Sequence, residues 1–121
     1  MSEKLILVVD DSPTDRSIAA SACKAKGFNV ITAEDGEDAM KKVLEIKPDL
    51  ILLDVILPGK NGFQVCRQLK SSPETAEIKV IMVTSKSQDS DRFWGIKQGA
   101  DGYLTKPFTE EELYDLINQT I

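Results

Sequence analysis

Four short apolar runs punctuate this chain, and each is closed by a residue with chemistry to offer. Leu5-Ile6-Leu7-Val8-Val9 runs into Asp10 and Asp11, Leu50-Ile51-Leu52-Leu53 into Asp54, and Ile81-Met82-Val83 into Thr84. A shorter run, Tyr103-Leu104, is followed by Lys106. Runs without polar alternation read as strands buried on both faces, as in a parallel sheet. Groups at the ends of successive strands of such a sheet converge on one crevice. Three carboxylates, a hydroxyl and an ammonium gathered there are costly to fold around, which argues for a functional grouping.

Strand-like segments at Leu5–Val9, Phe28–Ala33, Leu50–Leu53, Val80–Val83 and Gly102–Leu104 alternate with helix-like ones. Ser12 caps a helix beginning at Pro13, with Asp15 completing a capping-box-like pattern. Asp35 precedes Ala39, Met40, Val43 and Leu44 at helical spacing, and Asn61 precedes Val65, Cys66 and Leu69. A fourth helix carries Phe93 and Ile96 and stops near Gly99. Thr109 and Glu112 form a capping box for the last, whose Leu113, Leu116 and Ile117 share one face. The order is (βα)5, and right-handed crossovers make it an open parallel sheet with helices on both faces.

The 121 residues suffice for one domain, expected over 1–121, with no internal repeat or linker. A net charge of −5 disfavours a sequence-independent grip on nucleic acid. No apolar stretch approaches the roughly 18 residues of a membrane span. Cys23 and Cys66 stand apart from any metal-ligand spacing and read as buried free thiols, which fits a cytoplasmic location. The chain has no histidine, so zinc sites using His and histidine acid/base chemistry are excluded.

An acidic pair facing a third carboxylate is an oxygen-ligand site suited to Mg²⁺, which keeps water and phosphate oxygens in its shell. Lys106 adds a mobile positive charge and Thr84 a hydroxyl donor, the parts needed to stabilise a phosphoryl group. With no Ser–His or Cys–His pair available, the nucleophile is a carboxylate able to form an aspartyl phosphate. Taken singly, Asp10, Asp11 and Asp54 also suit turns and helix starts. Lys106 alone reads as a surface lysine and Tyr103 as an edge-strand aromatic. Their joint placement at strand ends favours the functional reading.

The motifs VVDDS around Asp10 and Asp11, LLDVILPGKNG around Asp54, VTSK around Thr84 and GADGYLTKPF around Lys106 occur in order along the chain. With them the chain resembles a receiver domain of the CheY-like response-regulator family. The resemblance implies a flavodoxin-like sheet of order 2-1-3-4-5 and a phosphoryl transfer from a histidine kinase to Asp54. It implies Mg²⁺ on Asp10, Asp11, Asp54 and the Ile56 carbonyl. Thr84 is then the switch hydroxyl, Tyr103 the aromatic that changes rotamer with it, and Lys106 the phosphoryl-pairing lysine, with a cis bond to Pro107.

The resemblance places output on the fourth helix, fifth strand and fifth helix, where Arg92, Lys97, Tyr103 and Glu112 are candidate contacts for a downstream protein. No direct nucleic-acid or membrane contact is expected, and the domain is expected to act as a monomer or a phosphorylation-dependent dimer. Trp94 lies in a WG…QGA run similar to single-domain receivers of chemosensory and twitching-motility pathways, which implies a CheA-like kinase. As a purely structural residue, it is an aromatic packing beside Phe93. A fragment of a larger DNA-binding regulator and a phosphorylation-independent module of the same fold are the competing readings. A P-loop protein would need a GxxxxGK[ST] motif that is missing. Asp10 and Asp11 would repel the phosphate of a flavin nucleotide, and Ile56 stands where an aspartate-nucleophile phosphatase needs its second acid.

Lys60 and Asn61 depart from the Met and Asp that the family often carries there, but both fall in a loop. Ile56 and Lys86 occupy the two positions that modulate phosphoryl lifetime in the family, and neither can orient an attacking water as a carboxylate or amide would. Phosphate loss from the phosphorylated protein, followed by intact mass, should therefore not be of the very fast kind. Complete loss within seconds would contradict this.

Overall fold

The apolar runs pair in parallel, and their alternate residues fill two separate cores. The computed structural model describes residues 3–121, so residues 1 and 2 of the expected domain lie outside the described residues. Strands β1 (Leu5–Val9), β2 (Asn29–Ala33), β3 (Leu50–Leu53), β4 (Lys79–Thr84) and β5 (Gly102–Thr105) form one sheet of order β2-β1-β3-β4-β5. Every pairing is parallel, with Val9 beside Leu53, Leu53 beside Met82 and Thr84 beside Thr105. The helices are α1 (Pro13–Ala25), α2 (Gly36–Ile46), α3 (Gly62–Ser71), α4 (Asp89–Lys97) and α5 (Glu110–Thr120).

Successive strand residues point to opposite faces. Leu7, Val9, Ile51, Leu53, Val80 and Met82 pack with Ala39 and Val43 of α2 and Val65, Cys66 and Leu69 of α3. Ile6, Val8, Leu50, Leu52, Ile81 and Val83 pack with Ala19, Ala22 and Cys23 of α1 and Leu113 and Ile117 of α5. Burial on both faces is why these runs carry no polar alternation.

The caps at Ser12, Asp35 and Thr109 form as expected, and Asn61 makes a full capping box with Gln64. One detail differs. Ser12 Oγ accepts from the Asp15 amide at 3.3 Å, but the Asp15 carboxylate does not return the bond, because Asp10 Oδ1 already accepts from the Ser12 amide at 3.0 Å. The second strand begins at Asn29 rather than Phe28, and the fourth and fifth extend to Thr84 and Thr105.

The fourth helix also differs from its apolar pattern. Phe93, Trp94 and Ile96 are 65%, 48% and 55% exposed, and Gly95 is its buried residue. A Cβ at Gly95 would come within 3.1 Å of the Tyr103 ring, so the helix approaches β5 along its small residue and its large ones turn outward. Among the described residues, no aromatic pair joins Trp94 to Phe93. No described helix is long and apolar enough to cross a membrane.

Both cysteines are free and buried, and burial pushes each thiol from its ordinary value of 9.0 up to about 11. A raised value favours the protonated thiol in the folded state, so this contribution to stability is present below the unfolded value and lost as pH rises from 9.0 through about 11. Near pH 8 a maleimide should leave native Cys23 and Cys66 unmodified and label both in urea. Equal labelling rates in the two conditions would contradict their burial.

Candidate functional site

The carboxyl end of the sheet gathers the singled-out residues because two adjacent strands, β1 and β3, stop in step. Asp54 N–H donates to the Val9 carbonyl at 3.0 Å, and Asp10 N–H to the Ala33 carbonyl at 3.1 Å, which holds the two acids side by side. By strand parity Asp10 and Asp54 follow Val8 and Leu52, so both lie in line with the face covered by α1 and α5. Lys106 follows Leu104 in the same way. β5 lies three strand spacings from β1, about 14 Å, so the loop after β5 must fold back over β4. Lys106 N–H does this by donating to the Thr84 carbonyl at 2.8 Å, and the next bond, to Pro107, is cis as the resemblance implied.

The result is one ammonium among three carboxylates. Lys106 Nζ lies 2.7 Å from Asp10 Oδ2, 2.9 Å from Asp54 Oδ2 and 2.9 Å from Asp15 Oδ2. The remaining oxygens of the two buried acids take backbone donors, Ser12 N–H on Asp10 Oδ1 and Ile56 N–H on Asp54 Oδ1, both at 3.0 Å. Arg16 donates to the Asp10 carbonyl at 2.8 Å and pairs with Glu34 at 3.6 Å.

Burial raises the Asp10 pKa above its ordinary value, against the hydrogen bonds from Lys106 and Ser12 that favour its ionised form. Burial would lower that of Lys106, but its hydrogen bonds to Asp10, Asp54 and Asp15 outweigh it and push the ammonium upward. The lysine is therefore a fixed positive charge.

The third carboxylate differs from the expected one. Asp11 is exposed, while Asp15 reaches the ammonium. Side chains on a helix tilt toward its N-terminus, so an acid in the first turn of α1 points back over the strand ends, whereas Asp11 stands in the loop itself. Among the described residues, no group of three or more acids, cysteines or histidines is gathered to hold a metal ion. Yet Asp10 and Asp54 already converge on a cation, the ammonium, and one ammonium offsets only one of the three charges it touches. Hard oxygen donors with residual negative charge are the donor set that Mg²⁺ takes.

Thr84 and Tyr103 fall on the opposite strand parity, in line with the face covered by α2 and α3. Thr84 is fully buried, and its Oγ1 accepts from Lys86 N–H at 3.3 Å. Tyr103 is turned inward, 8% exposed, and its hydroxyl donates to the Lys86 carbonyl at 2.7 Å.

The candidate output contacts are engaged within the fold. Arg92 donates to the Tyr103 carbonyl and Thr105 Oγ1, with its guanidinium 5.2 Å from the Tyr103 ring centroid. Glu112 accepts from Thr109 N–H in the cap of α5, and Lys97 lies over the Phe93 ring. Ile56 is exposed beside Asp54, and Lys86 pairs with Asp91 at 3.8 Å.

Two residues of the site were not singled out from the sequence. Asp15 was read only as part of a cap, although its position one turn into the helix after an acidic loop was the available signal. Gly62 packs directly behind Asp54, where a Cβ would overlap the Asp54 carbonyl oxygen and come within 2.8 Å of Val55 Cα. Its N–H donates to the Val55 carbonyl at 2.9 Å.

Fold and crevice together define a doubly wound α/β domain with an acidic, oxygen-lined cluster around the Lys106 ammonium at the carboxyl end of its sheet. The chain belongs to the response regulator receiver domain family, which it matches over residues 6–118, and is thus a signalling domain of two-component response regulators. It is 46% identical to Protein PilH of Pseudomonas aeruginosa over 96% of both chains. It is 41% identical to the phosphate regulon transcriptional regulatory protein PhoB of the same organism, over 93% of this chain and 49% of that protein.

Among solved structures it superimposes on the chemotaxis protein CheY4 of Vibrio cholerae with a TM-score of 0.93, at 28% identity and over 99% of this chain and 100% of that one. It matches the receiver domain of a Pseudomonas aeruginosa sensor histidine kinase with a TM-score of 0.90, at 25% identity and over 98% of both chains. That structure has a magnesium ion coordinated in its active site cleft.

Gly62→Ala should destabilise the protein by about 1–3 kcal/mol, because backbone rather than a flexible side chain must yield. Urea denaturation would measure the loss, and an unchanged midpoint would mean that α3 is free to move off β3.

Proposed function

We propose that this domain accepts a phosphoryl group on Asp54 from the phosphohistidine of a sensor histidine kinase and thereby switches its binding to a downstream protein. The observation that carries the reading is the Lys106 ammonium 2.9 Å from Asp54 Oδ2, in a pair of buried acids at the end of β3 and β1. In the transfer an Asp54 oxygen forms the new O–P bond, the N–P bond breaks, and its electron pair stays on the departing imidazole. Asp10, Asp11 and Asp54, with the Ile56 carbonyl, would hold Mg²⁺, which supplies charge neutralisation for the carboxylates and the phosphoryl oxygens.

Lys106 supplies the protein's own positive charge. It exchanges a carboxylate oxygen for a phosphoryl oxygen without changing its protonation, because its pKa stands above the ordinary range. The buried Thr84 hydroxyl supplies a donor to the phosphoryl group, and the inward Tyr103 then closes the space behind it. Phosphorylation shifts an existing equilibrium toward this arrangement by no more than its differential interaction with the two states.

The similarity to PilH, and the WG…QGA run at Trp94, support a chemosensory-type partner kinase. The face formed by α4, β5 and α5 is the proposed surface for the downstream protein. Its exposed Phe93, Trp94 and Ile96 support that assignment.

Incubation with acetyl phosphate and Mg²⁺ should add one phosphoryl group by intact mass to the wild type and none to Asp54→Ala. Stoichiometric phosphorylation of that variant would move the acceptor elsewhere. No gain in the wild type, with no response to beryllofluoride and Mg²⁺, would favour a phosphorylation-independent interaction module.

A further inference from the structure

We propose that Asp15 is a positioning residue that keeps the Lys106 ammonium paired at the edge of the crevice when a divalent cation takes up Asp10 and Asp54. The inference rests on the metal site proposed above and concerns how this chain manages two cations that want the same two carboxylates.

An ammonium has three donors, and here each meets a different carboxylate. The three partners are unlike in exposure. The Asp10 and Asp54 side chains are 7% and 8% exposed, whereas that of Asp15 is 42% exposed. Asp15 thus marks the wet end of the cluster. Its carboxylate is not committed to the cap of α1, because the Ser12 amide that a capping box would give it belongs to Asp10.

A cleft of about 370 Å³ opens on that side, lined by Asp15, Ile18, Val83, Lys106 and Phe108 among others, so the ammonium has room to swing outward without leaving the domain. A cation entering between Asp10 and Asp54 repels the ammonium and takes its two buried partners. Without Asp15, Lys106 would be left a half-buried charge with no carboxylate, which is costly. With Asp15, it retains one charge-assisted hydrogen bond throughout.

Calorimetric titration with Mg²⁺ of the wild type, Asp15→Asn, Asp15→Glu, Lys106→Met and the Asp15→Asn/Lys106→Met double variant tests this. Asp15→Asn should weaken Mg²⁺ binding by roughly three- to tenfold, the scale of one partly exposed charged hydrogen bond. Asp15→Glu should recover most of the affinity. In the Lys106→Met background the Asp15→Asn effect should shrink below about twofold, because the group to be positioned is gone.

An equal loss in both backgrounds would mean that Asp15 acts by simple charge attraction on the ion, and the positioning role would be overturned. Unchanged affinity in Asp15→Asn would overturn it too. A wild type that binds no Mg²⁺ would overturn the metal site itself and this inference with it. Thermal melts of each variant establish that it is folded, and Asp15→Ser replaces Asp15→Asn if the latter is not.

Discussion

The Lys106 ammonium is the contact on which the carboxyl end of this sheet depends. Two buried acids, Asp10 and Asp54, stand side by side because β1 and β3 end in register, and alone they would repel each other across a poorly hydrated space. Lys106 offsets that repulsion from a loop that reaches back over β4, pinned by its own amide on the Thr84 carbonyl. Each partner is in turn fixed by something cheap and local. Amides of Ser12 and Ile56 satisfy the outer oxygens, and Gly62 lets α3 close against the Asp54 backbone. The arrangement leaves negative charge in excess. That excess is what the proposed metal ion would offset.

Strand parity divides the functional residues into two groups. Asp10, Asp54 and Lys106 fall in line with the face under α1 and α5, and Thr84 and Tyr103 in line with the other. The acids and the ammonium thus stand on one side of the strand ends, and the proposed switch residues on the side from which α4 is reached. Tyr103 links them to the surface. Its ring touches Gly95, its hydroxyl holds the Lys86 carbonyl, and Arg92 lies over it. Thr84 is joined to Tyr103 through the backbone of Lys86, and Tyr103 lies against α4, whose exposed Phe93, Trp94 and Ile96 the core does not use.

The expected output contacts also serve the fold. Arg92, a candidate because the resemblance places output on this face, binds β5, and Glu112 completes the cap of α5 that its spacing from Thr109 predicts. Asp15 reads as a cap residue by spacing but has its carboxylate on Lys106. For Asp15 two roles competed for one side chain, and tertiary packing selected between them.

The architecture was legible in the sequence because its causes are local or periodic. Unbroken apolar runs require strands buried on both faces, caps at Ser12, Asp35, Asn61 and Thr109 start the helices, and alternation of the two dictates a parallel sheet whose strand ends form one crevice. That much also determined that Asp10, Asp54 and Lys106 would meet. The tertiary structure alone decided which oxygen meets the ammonium, that Asp11 stays outside while Asp15 enters, and that Gly95 rather than Phe93 faces the core. Those outcomes depend on angles and separations between elements far apart in the chain, which no short-range pattern encodes.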